Sequence, residues 1–156
     1  MIVNGYTIKP DADLCGADLS SANLYHADLR DANLSSADLS GAKGLLSVKD
    51  WLNANFKKNK KGYIVYKAEG DTYYPAPKHW KNSRFITEVV NPNRTNECGC
   101  GVNFATKKWI YKHYPDISGN IWLCRIEWLD LGSLVVPYNT DGKARCARLR
   151  LVKQVK

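Results

Sequence analysis

Residues 12–41 read ADLCGADLSSANLYHADLRDANLSSADLSG, one five-residue phrase stated six times. Each phrase is alanine, then aspartate or asparagine, then leucine, then two variable residues. A recurrence of five fits neither the 3.6-residue period of a helix nor the two-residue period of a strand. It is the mark of a solenoid, where each unit is too small to bury its apolar residue alone and must stack on its neighbours. The units are Ala12–Gly16, Ala17–Ser21, Ala22–His26, Ala27–Asp31, Ala32–Ser36 and Ala37–Gly41.

On these units the chain resembles pentapeptide-repeat proteins. The resemblance implies a right-handed, quadrilateral parallel β-helix in which four units complete one coil. Leu14, Leu19, Leu24, Leu29, Leu34 and Leu39 would then point inward, with the six alanines beside them because larger side chains would crowd so narrow an axis. The Asp or Asn after each alanine would lie outside and hydrogen-bond turn backbone. Six units make only one and a half coils, while about three stacked repeats are normally needed for stability. An open coil end also exposes unpaired backbone groups. Residues 1–46 are therefore expected to dock as a plug on a second unit, residues 47–156. Some members of the family are long acidic rods that imitate duplex DNA and bind DNA gyrase. A truncated array attached to a basic domain does not carry that role over.

The charge is divided along the chain. Residues 1–50 hold four Lys/Arg against seven Asp, a net −3, and residues 51–156 hold 19 against eight, a net +11. Any polyanion is expected to meet the second half. No apolar run approaches the ~20 residues of a membrane span. The start, MIVNGYTIKPDAD, has neither a basic n-region nor an apolar h-region. The expected location is the cytoplasm, or the host cytoplasm if the chain is phage encoded. The five cysteines are then thiols or metal ligands rather than disulfides.

In the second unit, Ser47 precedes Val48, Trp51, Leu52 and Phe56 at helical spacing, with Asp50 three residues after the cap. The run KKNKKG (57–62) suits the helix end and offers cations to a ligand. Strands are expected at YIVYKA (63–68), RFITEVV (84–90), IWLCRIEWL (121–129), LVVPY (134–138) and ARCARLRLV (144–152). NTDG (139–142) predicts a hairpin between the last two. A helix is expected over ATKKWIYKHY (105–114), capped by Thr106 and stopped by Pro115. The whole is a β-rich α+β chain, a short β-helix followed by an antiparallel sheet domain.

The loop NPNRTNECGCGVNFAT (91–106) concentrates the unusual chemistry, and three readings of it stand. Cys98 and Cys100 could join Cys124 and Cys146 around Zn²⁺, which takes four soft ligands at ~2.3 Å. Cys124 and Cys146 equally suit apolar strands as small hydrophobes. The run Gly99–Ala105 ahead of an aromatic-rich helix is similar to the glycine-rich segment that lines the nicotinamide pocket of ADP-ribosyltransferases. That similarity implies an NAD-using transferase over residues 98–114; its catalytic glutamate is unassigned, with Glu127 the one inviting candidate. The third reading is a recognition loop without catalysis, with Arg94 and the surrounding asparagines as donors. His26, His79 and His113 show no spacing that nominates a general base.

For binding, Lys143, Arg145, Arg148 and Arg150 cluster near the end, Arg148 and Arg150 on one strand face. Lys78, Trp80 and Lys81, with Tyr73 and Tyr74, interleave cations and aromatics, the pattern that holds phosphates and stacks bases. The tyrosines and Trp80 also suit packing under a proline-rich loop. The order of short array, junction and small basic domain resembles pentapeptide-repeat proteins of phages and prophages. It implies a cofactor-free binder that blocks a bacterial defence protein or nucleoprotein, with nucleic acid a further partner and a homodimer an open state.

Overall fold

A computed structural model describes residues 1–68, 84–117 and 121–155. The repeat forms a coil with a register of 20 residues. Parallel bridges join Asp13 to Asn33, Asp18 to Asp38 and Asn23 to Lys43, so four five-residue units make each turn. Paired bonds hold every rung: Leu14 N–H donates to Asn33 O at 2.9 Å, and Asn33 N–H to Ala12 O at 2.9 Å. Leu14, Leu19, Leu24, Leu29 and Leu34 are buried, as are Ala12, Ala17, Ala22 and Ala32, and Ile8 joins their core. Leu39, Ala27 and Ala37 at the open side are half-buried.

Two local devices bend the chain at each corner. In all six units the Asp or Asn side chain accepts the backbone N–H two residues on, from Cys15, Ser20, Tyr25, Arg30, Ser35 and Ser40. Every fifth residue from Asp11 to Gly41 has φ between 55° and 68°. Ser21, His26 and Ser36 occupy this left-handed region without the freedom of glycine, so the stacked rungs hold the corners there.

Both ends of the coil are closed by other parts of the chain. At the start, strands β1 (Ile2–Val3) and β2 (Tyr6–Thr7) form a hairpin. Asn4 Nδ2 donates to Asp18 O and Ser20 O, and the Tyr6 hydroxyl accepts from Asp18 N–H. At the far end the rungs Asp11→Arg30, Gly16→Ser35 and Ser21→Ser40 would continue from Asp31 to a third coil. Asn139 stands in that place. Its carbonyl accepts Asp31 N–H at 2.9 Å, and its Nδ2 donates to Ala32 O at 2.8 Å. Tyr138 packs on the same coil core. The plug expected from the shortness of the array is therefore mutual, since residues 137–140 supply the rung that the repeat lacks. Asn139→Ala leaves a buried carbonyl unpaired and is expected to cost about 1–3 kcal/mol, read as a lower urea midpoint at unchanged m-value.

The second unit is an antiparallel sheet of seven strands. Helix α1 (Val48–Asn55) begins at Ser47, whose Oγ accepts Asp50 N–H at 3.3 Å. Strands β3 (Lys58–Asn59), β4 (Gly62–Ala68), β5 (Phe85–Thr87), β6 (Val102–Ala105), β7 (Ile121–Glu127), β8 (Lys143–Cys146) and β9 (Arg148–Gln154) run in the order β5-β9-β7-β4-β6-β8, with β3 paired to β4. Helix α2 (Lys107–His113) is capped by Thr106, whose Oγ1 accepts Trp109 N–H at 3.0 Å. Trp51, Leu52 and Phe56 of α1 pack on Val65, Phe104, Cys124, Ile126 and Leu149 of the sheet. Three aromatic rings, Trp51, Phe56 and Phe104, meet edge-on or tilted at 5.4–6.5 Å. Trp51 is thus core, not a binding platform.

Five expectations are corrected. LVVPY forms no strand and keeps only the bridge Val135–Arg145, because Pro137 lacks a donor and Tyr138 N–H turns away to Arg94 O. ARCARLRLV divides at Ala147 into β8 and β9, which pair with different neighbours. Residues 102–105, taken as loop, form β6 between β4 and β8. The KKNKKG run is not a helix end but a tight hairpin, Asn59 opposite Gly62. The strand over 121–129 also stops at Glu127, where a 3-10 helix (Trp128–Ser133) begins.

Candidate functional site

The basic residues nominated from sequence are largely engaged inside the molecule. Arg145 is fully buried, and its guanidinium donates to Asn91 O, Asn93 O, Asn96 O and Glu97 O. It folds the 91–97 loop around itself and is not a surface phosphate contact. Burial pulls its pKa below the ordinary value. Arg94 lies at the seam, donating to Val136 O at 2.6 Å and to Leu46 O, with its guanidinium 4.0 Å from the Tyr138 ring centre. It ties the loop to the junction between the two units. Lys143 is held by Glu97 at 3.3 Å and Cys98 Sγ at 3.4 Å.

Arg148 and Arg150 do share a face, but with carboxylates. Arg150 Nε meets Glu127 Oε1 at 2.6 Å, Arg148 Nε meets Asp130 Oδ1 at 2.9 Å, and Arg125 reaches Glu127 at 3.0 Å. Both terminal arginines also lie over the Phe85 ring, at 4.6 and 4.1 Å. Hydrogen bonds from Arg125 and Arg150 hold the Glu127 carboxyl below its usual range. Glu127 is therefore a fixed anion among three guanidiniums. Lys78, Trp80 and Lys81, with Tyr73, Tyr74 and His79, lie outside the described residues.

The glycine-rich segment serves packing. A Cβ at Gly99 would come within 3.0 Å of Arg145 Cζ and the Asn91 side chain, and one at Gly101 within 3.0 Å of Val90. The cysteine set is not assembled. Cys98 and Cys100 are exposed, whereas Cys124 and Cys146 are buried and burial pushes their thiols up to about 12. No group of three or more metal-ligating side chains occurs among the described residues. Cys124 of β7 and Cys146 of β8 lie on the buried core face, while the loop pair Cys98 and Cys100 is exposed.

Two further features lie at the seam. Asp141 receives Lys112 Nζ at 2.9 Å and His113 Nε2 at 3.1 Å, and His113 stacks on Trp109 at 4.2 Å. Burial works to raise the Asp141 carboxyl, but bonds from Lys112 and His113 leave it below the ordinary value. A crevice of ≈390 Å³ opens between Asp28, Leu29 and Arg30 of the coil and Leu46, Trp51 and Tyr138. Arg30 and Asp28 are already paired there.

The sequence marked the 57–61 lysines as cations for a ligand but not the aromatic partner that the fold gives them. Residues 57–61 are exposed throughout, and none of their lysines has a carboxylate within 4 Å among the described residues. Of Trp128 and Leu129, which looked like the end of a strand, Trp128 stands against this turn, its Nε1 donating to Lys60 O at 3.0 Å, and Leu129 follows it exposed. The one available signal was the exposed pair WL ahead of DLGS, too short to separate from strand β7.

No helix is long and apolar enough to cross a membrane among the described residues. No curated protein and no solved structure matches the chain. Residues 11–43 match the family described as pentapeptide repeats, in eight copies, and the match is confined to the coil.

Proposed function

We propose that the protein is a non-catalytic interaction protein, in which the repeat is a structural buttress and the cationic sheet domain makes the contact. The supporting observation is uncompensated charge. Residues 51–156 carry a net +11, and the lysines of the 57–61 turn stand exposed. Such a surface attracts polyanions and acidic partners. Glu127 and Asp141 are both held in ion pairs, which suits a structural role for the two carboxylates. In this reading the partner is a bacterial protein or nucleoprotein, and a phage-encoded chain acts by blocking a defence component. The coil is right-handed and four-sided, a winding that its 20-residue register and left-handed corners support.

Titration of the full chain with NAD in a calorimeter tests the non-catalytic reading. No saturable heat is expected, and micromolar NAD binding with label transfer from NAD to protein overturns it. Capture from a bacterial lysate, repeated with the purified partner across salt concentrations, should give affinity that falls as salt rises.

A further inference from the structure

The β3–β4 hairpin turns on only two residues, Lys60 and Lys61, with Asn59 Oδ1 accepting Lys61 N–H at 2.8 Å. Lys57 and Lys58 precede it, so four exposed lysines fall within five residues, with Lys58 Nζ donating to Asn53 Oδ1 at 3.2 Å. Trp128 lies against that projection and is held by two contacts. Its indole N–H is committed to Lys60 O, and its ring meets Tyr63 edge-on at 5.4 Å and 72°. Tyr63 is anchored in turn by its hydroxyl, which donates to Asn53 Oδ1 at 2.8 Å. Trp128 nevertheless keeps 42% of its surface exposed, and Leu129 beside it keeps 90%.

From this we infer that the β3–β4 hairpin, with Trp128 and Leu129, is a contact site for single-stranded nucleic acid. The lysines meet phosphates, and the fixed indole face carries an unpaired base with Leu129 extending the apolar floor. The inference rests on the reading of the chain as a binding protein and names the surface and the ligand class. Three comparisons favour this ligand. Lysine-rich surface is depleted from protein–protein interface cores, so an acidic protein fits less well. A bilayer would have one freely projecting leucine to hold, a small apolar anchor, since Trp128 is tied at the level of the hairpin. A duplex offers no unstacked base to the indole, whereas a single strand offers both charge and base faces.

The test is fluorescence anisotropy of a labelled oligothymidylate of about 12 nucleotides with the full chain. The logarithm of affinity should fall against log salt with a slope of about −2 to −3, from ~0.7 per phosphate neutralised by three or four lysines. Lys60→Glu/Lys61→Glu, both exposed and away from the core, should weaken binding at least about tenfold with an unchanged melting curve. Trp128→Ala should weaken it roughly 5- to 100-fold while Trp128→Phe retains most of the affinity. Absence of binding, an unchanged affinity in the double lysine variant, or binding to phosphatidylserine vesicles without binding to the oligonucleotide overturns the site. A purified lysate partner that still binds the double lysine variant, when the wild type ignores the oligonucleotide, overturns this site alone and leaves the binding-protein reading intact.

Discussion

Arg145→Met is expected to destabilise the protein by about 4 kcal/mol, the scale of breaking a buried charge network. The guanidinium has no exposure, and four backbone carbonyls from Asn91, Asn93, Asn96 and Glu97 converge on it. Bonds from a charged donor contribute about 1.5–3 kcal/mol each, and methionine leaves four carbonyls facing an apolar chain. Since whole domains are stable by only about 5–15 kcal/mol, this one change removes a large share. Urea denaturation reads the loss, and limited proteolysis should find new cuts within residues 91–97. Arg145→Lys should fall between, because an ammonium with three donors cannot span a fork that reaches four acceptors. Equal midpoints for Arg145→Met and the wild type would refute the clamp.

Gly44→Ala is expected to cost more than about 3 kcal/mol, from two causes that add. Gly44 has φ +78°, where an L side chain is strained, and its Cβ would fall 2.3 Å from Tyr25 N and 2.7 Å from Leu24 C. Those atoms are backbone of the coil below and cannot step aside. The chain leaves the coil at this point and enters the junction that leads to Ser47 and α1. The melting temperature should drop by roughly 6–12 °C, at 2–4 °C per kcal/mol for a chain of this size. Gly16→Ala supplies the control, with φ +66° but nothing within 4 Å of the added methyl. It should lose only the conformational part, about 1 kcal/mol. If both variants melt together, the close approach of Gly44 to the coil carries no weight.

Short-range physics made some of this architecture readable from residues alone. The five-residue period located the coil core, and Ser47 and Thr106 announced their helices because a cap acts within three residues of itself. Pairing over long separations was not readable. Residues 102–105 look like a loop because glycines precede them, yet β4 and β8 recruit them as a strand. NTDG reads as a turn, which it is, but nothing local tells that Asn139 will face the repeat more than 100 residues earlier. Arg145 and Arg148 have the same composition-level meaning; only the folded loop makes one a clamp, and only Glu127 and Asp130 make the other a paired cation. The lysine hairpin was visible as charge, while its companion Trp128 was hidden behind the apparent continuation of β7.

The two lids of the coil grip main-chain groups that recur with each full winding and take no notice of which side chains lie between. The length of the spiral is therefore quantised. Duplicating four units would slide the two lids apart while each still found its seat, but adding one unit would present Asn139 with the wrong wall, a quarter turn out of phase. A spiral capped in this way keeps both seats only when its length changes by whole windings, whatever side chains it carries outward.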